Sequence, residues 1–142
     1  MLDCGLRVTE ACTLQVKHFD FQRRILFVKT LKKQKDIPPR EIPMTNRVLE
    51  ALANWWTKLP DRTPDAWLFL SESKVNRAKN LPMSRITVWR YVKTVSDGVA
   101  HPHTFRHTFG TNLIANGTDI FVARDLLGHS HSSTTEIYVH TS

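Results

Sequence analysis

The run His101-Pro102-His103-Thr104-Phe105-Arg106-His107-Thr108-Phe109-Gly110 begins a segment that reaches His140. This segment holds most of the chain's seven histidines and carries a tyrosine near its end. With His103 opening a helix, His103, Arg106, His107 and Gly110 stand at i, i+3, i+4 and i+7, along one face. Phe105, Phe109 and Leu113 form a separate apolar stripe. The expectation is that the aromatic stripe is buried and the other side offers imidazole and guanidinium, beside a glycine that leaves room for approach. Pro102 suits a helix start, and helix N-termini attract anions because their first N–H groups are unpaired. The pattern is that of a phosphate-binding segment.

Further on, Asn116-Gly117 closes this helix and Thr118 or Asp119 caps the next. Ile120, Ala123 and Leu127 make the second helix's buried face, Gly128 stops it, and His129 follows. Ser133-Thr134-Thr135-Glu136 matches a capping box. The short helix it opens carries Tyr138, and a short terminal helix is weakly held. A tyrosine that attacks a phosphate and later leaves it needs such freedom.

Outward from this segment, 142 residues suit one domain with a real core. There is no membrane-length apolar run and no signal-peptide pattern. Cys4 and Cys12 make neither a disulfide framework nor a zinc motif, so a reducing cytoplasm is expected. A net charge of +7, from 20 basic against 13 acidic residues, points to a polyanionic partner.

At the start, a turn at Gly5 leads into a short helix from Arg7 to Leu14. Arg7 and Glu10 share a face, either as a surface ion pair or as an arginine held by its own carboxylate. Phe19 to Phe21, Ile25 to Val28 and Glu41 to Met44 read as three short strands. Between the last two lies a lysine-rich hairpin tip, Lys29 to Asp36, which is either solvated or directed at DNA. Thr45 or Asn46 caps a helix whose buried face is Val48, Leu49, Leu52 and Trp56. Trp67 to Leu70 is extended, and Ser73 to Pro82 is a basic loop with Lys74, Arg77 and Lys79. Ser84 opens a helix with a core stripe of Val88, Tyr91, Val92 and Val95, which makes Tyr91 a core residue. Ser96-Asp97-Gly98 is the hinge into the His-rich part.

Together these segments resemble the catalytic domain of tyrosine recombinases, the phage-integrase family that includes Xer-type resolvases. Gly5-Leu6-Arg7-Val8-Thr9-Glu10 matches the family's Gly-Leu-Arg-x-Ser/Thr-Glu. His103-Thr104-Phe105-Arg106-His107 matches His-x-x-Arg-His. Leu126-Leu127-Gly128-His129 is followed nine residues later by Tyr138. The resemblance implies an α+β fold, mostly helical with a small three-stranded antiparallel sheet. It implies site-specific recombination by phosphoryl transfer on double-stranded DNA without metal, ATP or other cofactor. Tyr138 would be the nucleophile and Arg7 and Arg106 the clamps on the phosphate oxygens. His103 and His129 would assist proton transfer, with Glu10 and His107 in support.

The family also places a catalytic lysine on the hairpin, where Lys32 is favoured over Lys35. Lys29, Lys33, Lys35, Arg77 and Lys79 are then DNA contacts. The resemblance further implies a homo-tetramer on DNA. The 142 residues are expected to be the catalytic domain alone, without the family's N-terminal DNA-binding domain. Three other readings compete. The histidines suggest a metal-dependent hydrolase, but His103 and His107 lack the intervening glutamate of zinc proteases. A DNA-binding remnant without catalysis and a type IB topoisomerase are the others.

Overall fold

The computed structural model describes residues 4–29 and 39–128. Its first helix, α1 (Val8–Cys12), runs through a 3-10 turn (Val16–His18) into three strands, β1 (Phe19–Asp20), β2 (Ile25–Val28) and β3 (Arg40–Pro43). Five helices follow: α2 (Asn46–Trp56), α3 (Lys74–Ala78), α4 (Arg85–Val95), α5 (Pro102–Ala115) and α6 (Ile120–Leu127). The fold is mostly helical with one three-stranded antiparallel sheet, ordered β1-β2-β3.

The sheet shows why its sequence alternates. Leu26 faces Ile42 and Val28 faces Arg40 across the β2–β3 ladder. Leu26, Val28 and Ile42 are all buried, while Glu41 and Pro43 point to solvent. One face therefore covers the core and the other meets water, as antiparallel sheets allow. The core adds Leu6, Ala11 and Leu14 from the first segment, Leu52 from α2, and Leu59 and Leu68 beyond it. Phe21 falls outside β1, stacks on Phe19 and meets Trp56 edge-on.

Helix starts follow the capping residues. Thr45, Ser84 and Asp119 each accept a backbone N–H of the first turn, from Val48, Thr87 and Phe121. Gly128 ends α6 in the left-handed region, with φ at +74°. Trp67 and Leu70 each make an isolated antiparallel bridge, to Gln15 and Pro82, so that segment is extended as expected.

Three expectations need correction. The basic loop from Ser73 to Pro82 contains the one-turn helix α3, capped when Ser73 Oγ accepts the Asn76 N–H. On α4 only Val92 is buried; Tyr91 and Val95 face solvent. This helix packs on α1 and α5 with one narrow side, so the wider valine stripe outruns the core. Tyr91 is not core: its hydroxyl donates to Glu72.

The third correction concerns α5. Its buried line is Pro102, Arg106 and Gly110, while Phe105, Phe109 and Leu113 are half-buried. Arg106 goes inside because its guanidinium finds hydrogen-bond acceptors there, which offsets the cost of burying a charge. Phe109 instead packs against Gly5, where an added Cβ would sit 2.3 Å from the ring. None of the described helices is long and apolar enough to cross a membrane.

Candidate active site

The site is built on one buried carboxylate. Glu10 follows Arg7, which stands at the N-cap of α1, and its Oε1 accepts the Arg7 backbone N–H at 2.8 Å. Arg7 Nη1 reaches Oε2 at 3.3 Å, so the arginine is held by its own carboxylate. Only 1% of the Glu10 side chain is exposed. A carboxylate so enclosed stays charged only when paired.

The main pairing is with Arg40. Its Nη1 donates to Oε2 at 2.6 Å and its Nη2 to Oε1 at 3.1 Å, a planar two-point bond. Arg106 Nη1 adds a third cation, 3.9 Å from Oε1. Burial by itself would raise the pKa of Glu10. The hydrogen bonds and charge of Arg40, with those of Arg7, outweigh burial and hold it below its ordinary value.

The same three arginines collect the end of α6. Arg40 Nε donates to Leu126 O at 3.1 Å, Arg106 Nη2 to Leu127 O at 2.5 Å, and Arg7 Nη2 to Gly128 O at 3.4 Å. The last carbonyls of a helix have no partner within it, and they form the negative end of its dipole. Guanidinium groups satisfy both needs. Arg106 Nη1 also donates to Gly5 O at 2.8 Å, which binds α5 to the turn before α1. Two arginines 99 positions apart thus meet at one carboxylate and one helix end (106 − 7).

Arg7 keeps 31% of its side chain exposed, against 8% for Arg106. Arg7 is therefore the guanidinium open to an incoming anion. His103 sits exposed in the first turn of α5, one turn before Arg106. It packs edge-on to Trp89 and to His101, whose ring stacks on Trp89 at 5.1 Å. His107 is half-buried on α5.

Lys29, exposed just past β2, borders a cavity of about 170 Å³ that Glu10, Gln15, His18 and Trp67 also line. Arg77 lies on α3 and donates through Nε to Ser71 O, while Lys79 caps that helix in solvent. Lys32, Lys33, Lys35, His129 and Tyr138 lie outside the described residues. Among the described residues, no three His, Cys, Asp or Glu side chains are grouped to share a metal ion.

Arg40 was not among the expected site residues, because β3 was expected to begin at Glu41. The signal was present in the alternation. Arg40 is in phase with Ile42 and Met44, the inward positions of its strand. An arginine on the apolar face of a strand calls for a buried partner.

In this mostly helical domain with a small antiparallel sheet, arginines from both ends of the sequence thus converge on one carboxylate. Sequence comparison identifies the family: the model of the phage integrase family matches residues 1–142. The chain belongs to the phage integrase family.

Its relatives include a tyrosine recombinase of Pseudothermotoga lettingae, 39% identical over 96% of this chain and 46% of the relative. Tyrosine recombinase XerA of Pyrococcus furiosus is 35% identical over 94% of this chain and 45% of its own length. Among solved structures, a XerA recombinase superposes with a TM-score of 0.80 at 29% identity, covering 98% of this chain and 49% of that one. The Tn1549 transposon integrase, solved in complex with circular intermediate DNA, gives 0.72 at 27% identity over 96% of this chain and 50% of that one. The chain spans about half the length of the curated relatives it matches.

Proposed function

We propose that this chain carries the chemistry of a site-specific recombinase that cuts and rejoins double-stranded DNA through a tyrosine. The observation that carries this reading is the convergence of Arg7 and Arg106 on Glu10, within 3.3 and 3.9 Å. Two guanidinium groups so held supply fixed positive charge where a phosphodiester gains negative charge in the transition state.

In the proposed reaction the Tyr138 phenol oxygen attacks the phosphorus, giving up its proton to His103 or His129. A 3′-phosphotyrosyl bond forms as the bond to the 5′ oxygen breaks. That oxygen leaves as a hydroxyl after taking a proton from a hairpin lysine, Lys32 or Lys29. Lys29 enters beside Lys32 because it borders the cavity lined by Glu10. Attack by a 5′-hydroxyl of another strand reverses the step, so rejoining needs no energy source. Glu10 orients Arg7, and His107 supports α5. Double-stranded DNA is the partner, bound by a homo-tetramer in the cytoplasm. Lys33, Lys35, Arg77 and Lys79 are proposed DNA contacts, and relatives solved on DNA support that partner.

The burial of Arg106, tied to Gly5 O and Leu127 O, favours a second reading: a domain that binds DNA without cutting it. Relaxation of supercoiled plasmid at low salt with EDTA separates the two, since it needs no target site and low salt strengthens phosphate contacts. Relaxation by the wild type but not by Tyr138→Phe supports the recombinase. A chain that shifts plasmid in a gel and leaves it supercoiled supports the binder.

A further inference from the structure

Arg40 belongs to none of the motifs that carry the family resemblance, yet it is as deeply buried as Arg106. Its side chain is 6% exposed, against 8% for Arg106 and 31% for Arg7. We propose that Arg40 is a positioning residue for strand cleavage, holding the Arg7–Glu10 unit and the end of α6 in one fixed relation. This rests on the tyrosine-recombinase reading above.

The two-point bond from Arg40 fixes the plane of the Glu10 carboxylate, not merely its charge. With that plane fixed, Oε1 and Oε2 point at the Arg7 backbone N–H and guanidinium. A third donor of Arg40, Nε, takes Leu126 O, so the same planar group sets the last turn of α6. Its backbone is anchored opposite Val28 at the root of the β2–β3 connection.

One side chain therefore ties together α1, the hairpin root and the point where the chain leaves α6 toward His129. Gly128 makes this possible: a Cβ there would stand 2.6 Å from Arg40 Nη1 and 2.8 Å from Cδ. Lysine could keep the charge but not the planar fork or the separate Nε bond. Arg40 is enclosed by Glu10 and α6, so it acts through them and not on the phosphate.

The test compares Arg40→Lys, Arg40→Gln, Glu10→Gln and the Arg40→Gln/Glu10→Gln pair in the full chain. Plasmid relaxation is measured against plasmid concentration, with urea unfolding alongside. A residue supporting charged site groups from behind is worth about 10–100-fold. The expectation for Arg40→Lys is a maximal rate lowered by about that factor, with half-saturating DNA within about twofold of wild type. The double variant should be no slower than about the slower single one, because both act as one unit.

A wild-type maximal rate in Arg40→Lys overturns the proposal, as does a loss confined to DNA affinity or one in which the single losses multiply. If Arg40→Lys does not fold, Gly128→Ala replaces it, displacing an intact Arg40; a wild-type maximal rate there overturns the proposal too. An inactive wild-type chain sinks the recombinase reading alone. Arg40 is then judged by amide hydrogen exchange at the Arg7 N–H and the last turn of α6, relative to the rest of each protein. Faster exchange confined to those amides in Arg40→Lys upholds the positioning role, and unchanged exchange overturns it.

Discussion

Arg40 and Glu10, 30 residues apart in the chain, meet through two hydrogen bonds of 2.6 and 3.1 Å between the first residue of β3 and the middle of α1. The other two arginines of the site and the end of α6 refer to this pair. Arg7 hangs from the same carboxylate, and Arg106 approaches it from α5. The end of α6 is drawn to all three cations.

Glu10→Gln should lower stability at neutral pH by about 3–5 kcal/mol, the usual cost of breaking a buried ion pair. The sign with pH follows from the lowered pKa of Glu10, set by burial on one side and by Arg40 and Arg7, which prevail, on the other. The carboxylate's contribution is present above its unfolded pKa, near 4.5, and is lost as pH falls through its lower folded value. Urea titrations at pH 7 and at acid pH should show the gap between wild type and variant narrowing on acidification.

Gly128→Ala should destabilise more than Gly117→Ala. Both glycines have positive φ, +74° and +86°, so alanine meets backbone strain at each, roughly 1–2 kcal/mol. Only at Gly128 does the added methyl also strike a side chain, that of Arg40, whereas nothing lies within 4 Å at Gly117. The difference between the two melting temperatures measures the Arg40 contact.

Arg7→Ala should cost activity far more than stability. Loss of one donor to a developing charge typically costs about 10²–10³-fold in rate. Glu10 would keep its two-point bond to Arg40, so the unfolding midpoint should move little. Relaxation rate and urea midpoint on the same sample check both halves.

Tyr91→Phe should leave relaxation unchanged. Its hydroxyl is held by Glu72, whose hydrogen bond raises the phenol pKa, the wrong direction for a nucleophile. Plasmid relaxation by this variant, run beside Tyr138→Phe, is the check.

Lys29→Ala and Lys32→Ala should separate the two candidates for the leaving-group acid. The one that donates the proton should slow cleavage most on an ordinary 5′-oxygen. It should slow it least on a 5′-thiol leaving group, which needs no acid.

Much of this was legible in the sequence. The strand Ile25–Val28, the cap at Ser84 and the stop at Gly128 follow from local chemistry, and of the alternatives Thr45 or Asn46 and Thr118 or Asp119 the structure takes Thr45 and Asp119. The pairing of Arg7 with Glu10 was readable from their spacing. Arg40 was missed because the strand was bounded one residue short of it, at Glu41, and its partner lies 30 residues away. The inversion of α5 failed for a related reason. Helical periodicity sorts apolar from polar residues, but Arg106 is buried by acceptors from Gly5 and Leu127 that periodicity does not register. Tyr91 misled similarly, since an apolar stripe shows what a helix could bury and not how wide a surface it meets.

The most direct measurement is a search for protein left on DNA after denaturation. Plasmid incubated with the chain at low salt in EDTA, then stopped with SDS, should carry protein attached to a 3′-phosphate, with a free 5′-hydroxyl across the break. Tyr138→Phe should give none. Relaxation without any such adduct, or an adduct that survives Tyr138→Phe, would contradict the account.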